Sequence, residues 1–441
     1  MEEIRGWEAA DKGRNVSMII QRLRGRLSAR ATVSACLLAG LASTAHATNG
    51  YIANGYGGGS KGMAGAGVAA PTGVLGLAQN PALGGKVGNM AGFCLTTFAP
   101  DRGFTVSGMG GLQTGTFKSR NDVFLIPCGG VNFKLSERST LALFMFGNGG
   151  MNTEYGTNVF VPGYGPAGTS PLGVNLEQAF FAASYSHQVS ESLTFGIAPV
   201  FAVQRFSATG LENFAGYSSD PAALSNNGDD WSTGYGFNLG VLYEPNAQWS
   251  FGAAYRSRME MDEFGKYAGL FAEQGDFDVP AVATLGAAFR PASTPDLTLT
   301  AEYQRIFYGD VKAISNSSTP IVAPFGADNG PGFGWKDMDV YRIAASYKTS
   351  DRLTLRGGVS YATQFAPERE ALLNVLAPAT PQWHASVGFS YKLQNGWGVT
   401  GSYTHAFENS LTDPNPAMAP GQPVKVRMNQ HELALGMTYR W

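Results

Sequence analysis

Serine and histidine are the side chains of this sequence that could together supply a nucleophile and a base. Four histidines follow residue 47, namely His187, His384, His405 and His431, and Ser386 lies two residues after His384. A serine nucleophile usually takes its base from an adjacent strand and needs a third group to orient that base. Ser386 and His384 share one predicted strand and do not meet this requirement, so we predict that the protein is not an enzyme.

Two other patterns could bind a cofactor or a metal ion. Gly57, Gly59 and Gly62 match the GxGxxG spacing of dinucleotide-binding loops, but no apolar strand precedes them and Gly-rich sequence yields such matches by chance. Cys94 and Cys128 could pair in an oxidising compartment, although two cysteines make no metal cluster. We interpret them as isolated thiols buried in strands, and we predict no cofactor and no metal.

The composition indicates that strands, rather than helices, cross a membrane. Of 441 residues, 58 are glycine, 12% are aromatic and only 15% are charged, whereas soluble domains carry roughly 25% charged residues. No apolar run approaches the ~18 residues of a membrane helix. In barrel strands apolar residues alternate with polar ones, so a membrane-spanning strand contains no long apolar run. Residues 429–441 alternate in this way, with large apolar side chains at Leu433, Leu435, Met437, Tyr439 and Trp441.

The connections between the predicted strands alternate in length. Short polar turns, such as residues 136–139 and 190–192, alternate with long Gly-, Pro- and Asn-rich segments such as residues 207–233. Fourteen strands fit between these breaks, and the third, fourth, thirteenth and fourteenth cover residues 140–150, 176–188, 397–408 and 429–441. An even strand count with short turns on one side predicts an all-β fold, a transmembrane antiparallel barrel of about 14 strands over residues 89–441.

The N-terminal segment predicts export from the cytoplasm. Four arginines between residues 22 and 30 precede an apolar run over residues 35–42, and Ala45-His46-Ala47 is a small-x-small cleavage site. These features predict a signal peptide over residues 1–47, in which residues 1–17 could be a spurious extension ahead of Met18. The barrel pattern then places the protein in a Gram-negative outer membrane. The net charge of −2, without a basic patch, excludes a nucleic-acid partner.

Residues 48–88 are rich in glycine and alanine and show neither strand alternation nor a helical stripe. We predict that this segment, called the hatch below, is a plug inside the barrel. Together with the hatch motif Asn80-Pro81-Ala82, the segment Gly147–Tyr155 and the closing stretch 431–441, it resembles the FadL-type (FadL/TodX-like) family of outer-membrane transporters for long-chain fatty acids and other hydrophobic compounds.

The resemblance implies a barrel plugged by the hatch, whose cargo leaves sideways through a gap made by a kinked third strand. The kink corresponds to Asn148, Gly149 and Gly150, which can leave a ladder at little steric cost, although the glycines could instead open the following loop. Trp441, where the family more often has Phe, would be read by the barrel-assembly machinery. The expected partners are fatty acids or hydrocarbons and the lipids of the outer membrane.

Cargo capture is predicted for the outer loops. Apolar loop residues Phe160, Leu211, Phe214 and Trp231 could form a binding groove, or could pack the loops against each other. Arg205 is the first candidate to meet a carboxylate, because it falls in the region where the family places a cation. Strict alternation points Arg205 outward, however, so that only a bulge would turn it into the lumen.

Three further arginines could also bind a carboxylate, and the sequence leaves alternative functions open. Arg256, Arg342 and Arg356 fall on inward faces opposite Glu302 and Glu432, and could bind a carboxylate or form ion pairs that hold the hatch. A general diffusion porin and a structural surface barrel are the alternatives to a passive transporter, and an outer-membrane lipase is a remote one. A plug of about 40 residues disfavours open diffusion, because the lumen of a porin is water-filled.

Overall fold

The computed structural model describes residues 49–160 and 171–441. The predicted signal peptide over residues 1–47 lies outside the described residues, as do Thr48 and residues 161–170. No helix among the described residues is long and apolar enough to span a membrane.

In the described part of the chain, sixteen antiparallel strands form one sheet, which closes because β1 pairs with β16 from Met90–Arg440 to Val106–Val424. Two of them, β2 and β9, are short additions to β1 and β7, so the wall consists of fourteen long strands and the predicted barrel is confirmed. The strands are β1 (Met90–Val106), β2 (Gly115–Lys118), β3 (Phe124–Lys134), β4 (Ser139–Tyr155), β5 (Leu172–Gln188), β6 (Leu193–Thr209), β7 (Asp230–Tyr243), β8 (Trp249–Arg256), β9 (Glu260–Met261), β10 (Val282–Phe289), β11 (Leu297–Ile306), β12 (Met338–Lys348), β13 (Leu353–Ala362), β14 (Trp383–Lys392), β15 (Trp397–Asp413) and β16 (Val424–Arg440).

The outer wall carries the large apolar side chains that the alternation predicted. In β16, Leu433, Leu435 and Met437 are exposed, whereas Glu432 and Ala434 on the opposite face are buried in the lumen. This arrangement pairs the backbone groups along the ladders of the closed sheet and leaves apolar groups facing lipid. Four tryptophans at strand ends also face outward, as an aromatic girdle requires: Trp249, Trp383, Trp397 and Trp441.

All helical segments of the described chain are short and lie in the hatch or in the outer loops. The α-helical turns are Gly57–Lys61, Gly84–Val87, Ala272–Gly275 and Lys312–Ser315, and the 3-10 turns are Val74–Ala78, Pro81–Leu83, Glu212–Tyr217, Pro221–Ala223, Gly265–Tyr267, Tyr308–Asp310, Glu368–Glu370 and Leu373–Val375.

The hatch packs against inward-facing residues of the wall and is held there by its own motif. Asn80 accepts a hydrogen bond from the Ala82 amide and donates to the carbonyl oxygens of Val68 and Val241, at 2.7 and 3.0 Å. A β-carbon at Gly240 of β7 would overlap the Asn80 side chain. The motif therefore packs directly on the backbone of Gly240, and a residue with a β-carbon at this position would clash with Asn80.

Two sequence interpretations are corrected by the fold. Cys94 and Cys128 are not isolated thiols, because they face each other across β1 and β3 with their Cα atoms 5.0 Å apart and form a disulfide. The strands predicted at 140–150, 176–188 and 397–408 extend further outward, to Tyr155, from Leu172 and to Asp413. These extensions continue the ladders beyond the predicted strand ends, between β4 and β5 and between β15 and β16.

Candidate transport path

The third long strand, β4, contains a bulge at the predicted kink. Gly147 pairs with Ala179 and Gly149 with Gln178, so Asn148 is one extra residue in the ladder between β4 and β5. The strand continues past both glycines to Tyr155, so they do not open the loop. Residues 148–153 are all buried, whereas a wall strand exposes every second residue. Above the bulge, β4 has therefore bent off the wall toward the lumen.

This bend leaves β3 and β4 unpaired over their outer halves. Their ladder runs from Lys134–Thr140 to Gly129–Met145 and ends there among the described residues. The two chain segments meet again higher up, where the Arg120 amide donates to the Glu154 carbonyl oxygen at 2.8 Å. Between these two contacts the wall contains a gap without backbone pairing, and the Cys94–Cys128 disulfide lies at its lower edge.

The first described residues of the hatch occupy the edge of β4 that β3 has left. The Ala53 amide donates to the Asn148 carbonyl oxygen at 2.8 Å, and the Gly150 amide donates to the Tyr51 carbonyl oxygen at 3.0 Å. A β-carbon at Gly149 would overlap that Tyr51 oxygen, so the close approach requires glycine. The hatch thus satisfies backbone groups that the kink exposes, and it closes the gap from the inside.

An apolar cavity, called the outer cavity below, lies among the loops above the kink. It has a volume of about 40 Å³ and is lined by Met151, Val174, Phe206, Leu211, Phe214, Leu224, Leu270, Phe271, Ala313, Phe325, Pro331, Gly332, Phe333, Leu373 and Leu376. Leu211 and Phe214 were predicted, and Phe160 packs edge-on against Phe214 with ring centroids 4.9 Å apart. Because Met151 follows the bulge directly, the cavity reaches the kink.

Two other predicted residues lie elsewhere. Arg205 has intermediate exposure, with both Glu177 carboxylate oxygens at 2.9 Å and Asp229 at 3.1 Å, and its guanidinium stands 5.8 Å from the exposed Trp231 ring. Strand β6, described throughout, shows no register shift against β7, so the bulge needed to turn Arg205 inward is not there. The structure does not bring Arg205 or Trp231 to the outer cavity.

A second cavity, lined by both polar and apolar residues, lies inside the barrel beside the hatch and is called the lumen cavity below. Its volume is about 30 Å³, and its lining includes Ile52, Tyr56, Asn238, Arg256 and Arg342. Arg342 has the Glu302 carboxylate at 2.9 Å, and the other Glu302 oxygen accepts the Gly67 and Val68 amides at 2.9 Å each. Glu302 therefore joins a wall cation to the hatch backbone.

Below the hatch, a larger cavity of about 320 Å³ opens on the short-turn side. Its lining includes Gly58 and Leu75 of the hatch and the wall residues Arg356 and Arg440. Lys61 of the hatch is ion-paired with Glu432 of β16. The hatch therefore separates this lower cavity from the lumen cavity. It contacts the wall through an ion pair as well as through van der Waals packing.

The residues considered for catalysis have other hydrogen-bond partners. Ser386 Oγ lies 2.8 Å from Thr404 Oγ1, and His384 Nε2 lies 3.4 Å from Gln430 Nε2. The described residues contain no group of three or more His, Cys, Asp or Glu side chains that could hold a metal ion.

One carboxyl group in the outer loops has a perturbed pKa. Burial, and then repulsion from Asp278, raises the pKa of Asp276 from its usual 3.8 to about 7, and Arg258 at 3.5 Å opposes this only in part. Asp278 also pairs with Arg258 and accepts the Met261 amide at 2.7 Å. Two carboxylates therefore share one cation beside β9.

Sequence reasoning missed Tyr51 and Met151, which connect the hatch, the kink and the outer cavity. Tyr51 is fully buried, with Tyr308 and Trp335 ring centroids 5.5 and 6.2 Å away. A large aromatic residue inside the Gly/Ala-rich hatch was the one sequence signal for it. Met151 lies in a stretch whose burial depends on the bend of β4, so its own neighbours in the sequence carried no such signal.

Comparison with known proteins gives a consistent match along the chain. The model of the outer membrane protein transport protein family (OMPP1/FadL/TodX) matches residues 38–441. The long-chain fatty acid transport protein of Escherichia coli O6:H1 is 24% identical over 316 residues, 62% of this chain and 67% of that protein. A 47 kDa outer membrane protein of Pasteurella multocida is 24% identical over 230 residues, 48% of this chain and 51% of that protein, so the match spans about half of this relative.

Solved structures share the fold at low sequence identity. The Pseudomonas putida toluene transporter TodX has a TM-score of 0.64 at 18% identity, covering 88% of this chain and 99% of that chain. A Pseudomonas aeruginosa FadL homologue has a TM-score of 0.65 at 17% identity, covering 89% and 99%. The Ralstonia pickettii toluene transporter TbuX has a TM-score of 0.61 at 18% identity, covering 88% and 99%.

Proposed function

Because the chain belongs to the outer membrane protein transport protein (OMPP1/FadL/TodX) family, and is thus an outer-membrane barrel, we propose that it carries hydrophobic molecules passively into the cell by lateral release. The observation that carries this proposal is the unpaired outer half of β3 and β4, with the hatch seated on the vacated edge. Fatty acids and hydrocarbons are the proposed cargo, as for the named relatives.

Capture takes place in the outer cavity. A lining of Phe, Leu, Val and Met side chains binds an acyl chain or an aromatic ring mainly by removing apolar surface from water. Phe160, Leu211 and Phe214 are the predicted residues that support this step, because they lie in or against the lining. Arg205 and Trp231 take no part in the proposed mechanism.

Movement of the hatch then opens the path to the membrane. Tyr51 and Ile52 stand between the outer cavity and the gap, and they are held by a few backbone hydrogen bonds to β4 and by the Tyr308 hydroxyl, to which the Tyr51 amide donates at 3.2 Å. Local opening of such a segment costs far less than unfolding the barrel. Apolar cargo moves through the gap into lipid, because the lumen below contains buried arginines whereas the lipid is wholly apolar.

Open diffusion through the lumen is the competing function, and the filled lumen disfavours it. The hatch is bound to opposite parts of the wall by Asn80, by Lys61–Glu432 and by Glu302. Roles for outer-membrane lipids and for Trp441 in assembly stay predictions.

Deleting Asn148 tests the proposal, because this deletion brings Gly149 into register with Gly147 and restores a regular ladder between β4 and β5. We expect the variant to assemble but to lose most uptake of oleate and toluene in a transporter-deficient host. Radiolabelled cargo measures uptake, and heat-modifiable migration in gels measures assembly.

Deletion of Glu408 is a matched control, since β15 also carries one extra residue between Ala406 and Asn409, remote from the gap. This variant should transport like the wild type. Uptake that survives in the assembled Asn148 deletion, or that is lost equally in both deletions, would contradict lateral release through the kink.

A further inference from the structure

Arg256, at the end of β8, is a buried cation without a carboxylate partner. It is 6% exposed, and among the described residues its Nε and Nη2 atoms have no hydrogen-bond partner and no ion pair involves it. The neighbouring Arg342, by contrast, has Glu302 at 2.9 Å. A buried charge is normally paired, because its desolvation otherwise costs several kcal/mol. We therefore expect an anion to bind beside Arg256.

The geometry shows which part of Arg256 is available. Its Nη1 atom donates to Asn148 Oδ1 at 2.7 Å and to the Tyr56 hydroxyl at 3.1 Å. Nε and Nη2 form the opposite edge of the planar guanidinium, and this edge is the fork that holds a carboxylate with two parallel hydrogen bonds. One arginine thus contacts the kink residue and the hatch while keeping its bidentate edge unused.

The surroundings fit a headgroup with an apolar tail. Arg256 lines the lumen cavity, whose volume of about 30 Å³ would hold roughly two waters at ~10–15 Å³ each, or one carboxylate. The Phe180 ring lies 5.4 Å from the guanidinium, and Tyr56 packs on Phe146 with centroids 4.4 Å apart. Phe146 is the first residue of β4 above its last pair with β3, so apolar rings lead from Arg256 to the gap.

We propose that Arg256 binds the terminal carboxylate of the cargo, so that the protein prefers anionic amphiphiles over neutral hydrocarbons. This inference rests on the proposed function and specifies its substrate class. With the carboxylate on the Nε–Nη2 edge, the tail lies along Phe146 toward the gap and enters the lipid first. Arg342 and Lys61 are ion-paired with Glu302 and Glu432 and do not compete. Arg356 has no ion pair among the described residues, but it lines the lower cavity and not the lumen cavity.

The test compares dodecanoate with 1-dodecanol, which has the same chain and no charge. Binding to the purified full-length protein is measured by calorimetry in detergent, and uptake by radiolabel. We expect Arg256→Gln to weaken dodecanoate binding about tenfold or more and to change dodecanol binding less than twofold. Arg256→Lys keeps the charge but not the planar fork, and should lose an intermediate amount.

Asn148→Asp provides a second variant that keeps the arginine. It places a carboxylate next to Nη1, which should raise thermal stability and compete with the cargo, so dodecanoate binding falls while dodecanol binding is kept. Arg102→Gln is the matched control: Arg102 is also buried without an ion pair among the described residues, but it lines none of the three cavities. Its substitution should leave the ratio of the two affinities unchanged.

Two results would overturn the proposal: equal losses for dodecanoate and dodecanol in Arg256→Gln, or no loss in either Arg256→Gln or Asn148→Asp. A wild type that binds dodecanoate selectively but transports neither compound would refute the proposed function and leave the Arg256 site standing. A wild type that takes up both compounds, with an affinity ratio insensitive to Arg256, would refute the site and leave lateral transport standing.

Discussion

The outer cavity and the lumen cavity lie on opposite sides of the first hatch residues, and their linings differ in character. The outer cavity is lined by apolar side chains with almost no polar surface, whereas the lumen cavity contains two arginines, Asn238 and Gln304. Ile52 lines the lumen cavity and also packs in the apolar cluster that surrounds the outer one. Apolar cargo contacts almost only apolar side chains above this residue and meets two arginines below it, which favours exit at the level of the kink.

The largest effect on this contrast should come from removing the charge of Glu302. Glu302→Gln leaves Arg342 buried without a counterion, and breaking a buried pair in this way typically costs about 3–5 kcal/mol. We expect a lower melting temperature and a hatch that opens more often, seen as added conductance steps in planar bilayers.

Asp101→Asn is the comparison variant for Glu302. Asp101 pairs with Lys118 at 3.3 Å on the exposed outer wall, and surface pairs contribute only about 0–1 kcal/mol. Equal conductance of the two variants would show that the Glu302–Arg342 ion pair does not keep the hatch closed.

A smaller effect is expected from Phe214→Ser in the outer cavity. Burial of a Phe side chain contributes about 1.5–3 kcal/mol, so the affinity for a fluorescent apolar probe should fall about tenfold or more. Tyr217, exposed on the same 3-10 turn, provides the control Tyr217→Ser, which should stay within twofold of the wild type. Equal losses in the two variants would mean that the probe binds to the loop surface and not in the cavity.

The smallest effect concerns pH and the loop that carries Asp276. Because burial and Asp278 raise its pKa above the usual 3.8 to about 7, the stability it contributes is complete below about pH 4 and is lost as the pH rises through 7. Proteolysis of this loop should be a few-fold slower at pH 5 than at pH 8.

Asp276→Asn should remove that pH dependence, while Asp310→Asn, at an exposed carboxyl in the next loop, should keep it. The charged groups near Asp276 include Arg258, Asp278, Glu273 and Lys312. A pH dependence that persisted in Asp276→Asn would assign it to another of these groups.

Much of the barrel wall could be predicted, because the alternation of apolar and polar residues is visible within each strand. Alternation in the last strand requires only residues 429–441, and it gave the lipid-facing side chains of β16 correctly. The family match confirms the predicted fold, the outer-membrane location and a transport protein rather than an enzyme. The kink at Asn148 was also marked locally, by two glycines that follow it, and the outward direction of Arg205 followed from period two alone.

The sequence by itself determined the barrel and its outward-facing apolar side chains, since both follow from the alternation of neighbouring residues. Only the tertiary structure decided which distant residues meet: Tyr51 with Gly150, Cys94 with Cys128, and Arg256 with Asn148 across 108 positions. Such contacts depend on strand register and on how the hatch folds inside the wall. A single sequence carries no local signal for either, so it placed Arg256 on an inward face, and only the folded chain showed that Arg256 contacts the kink.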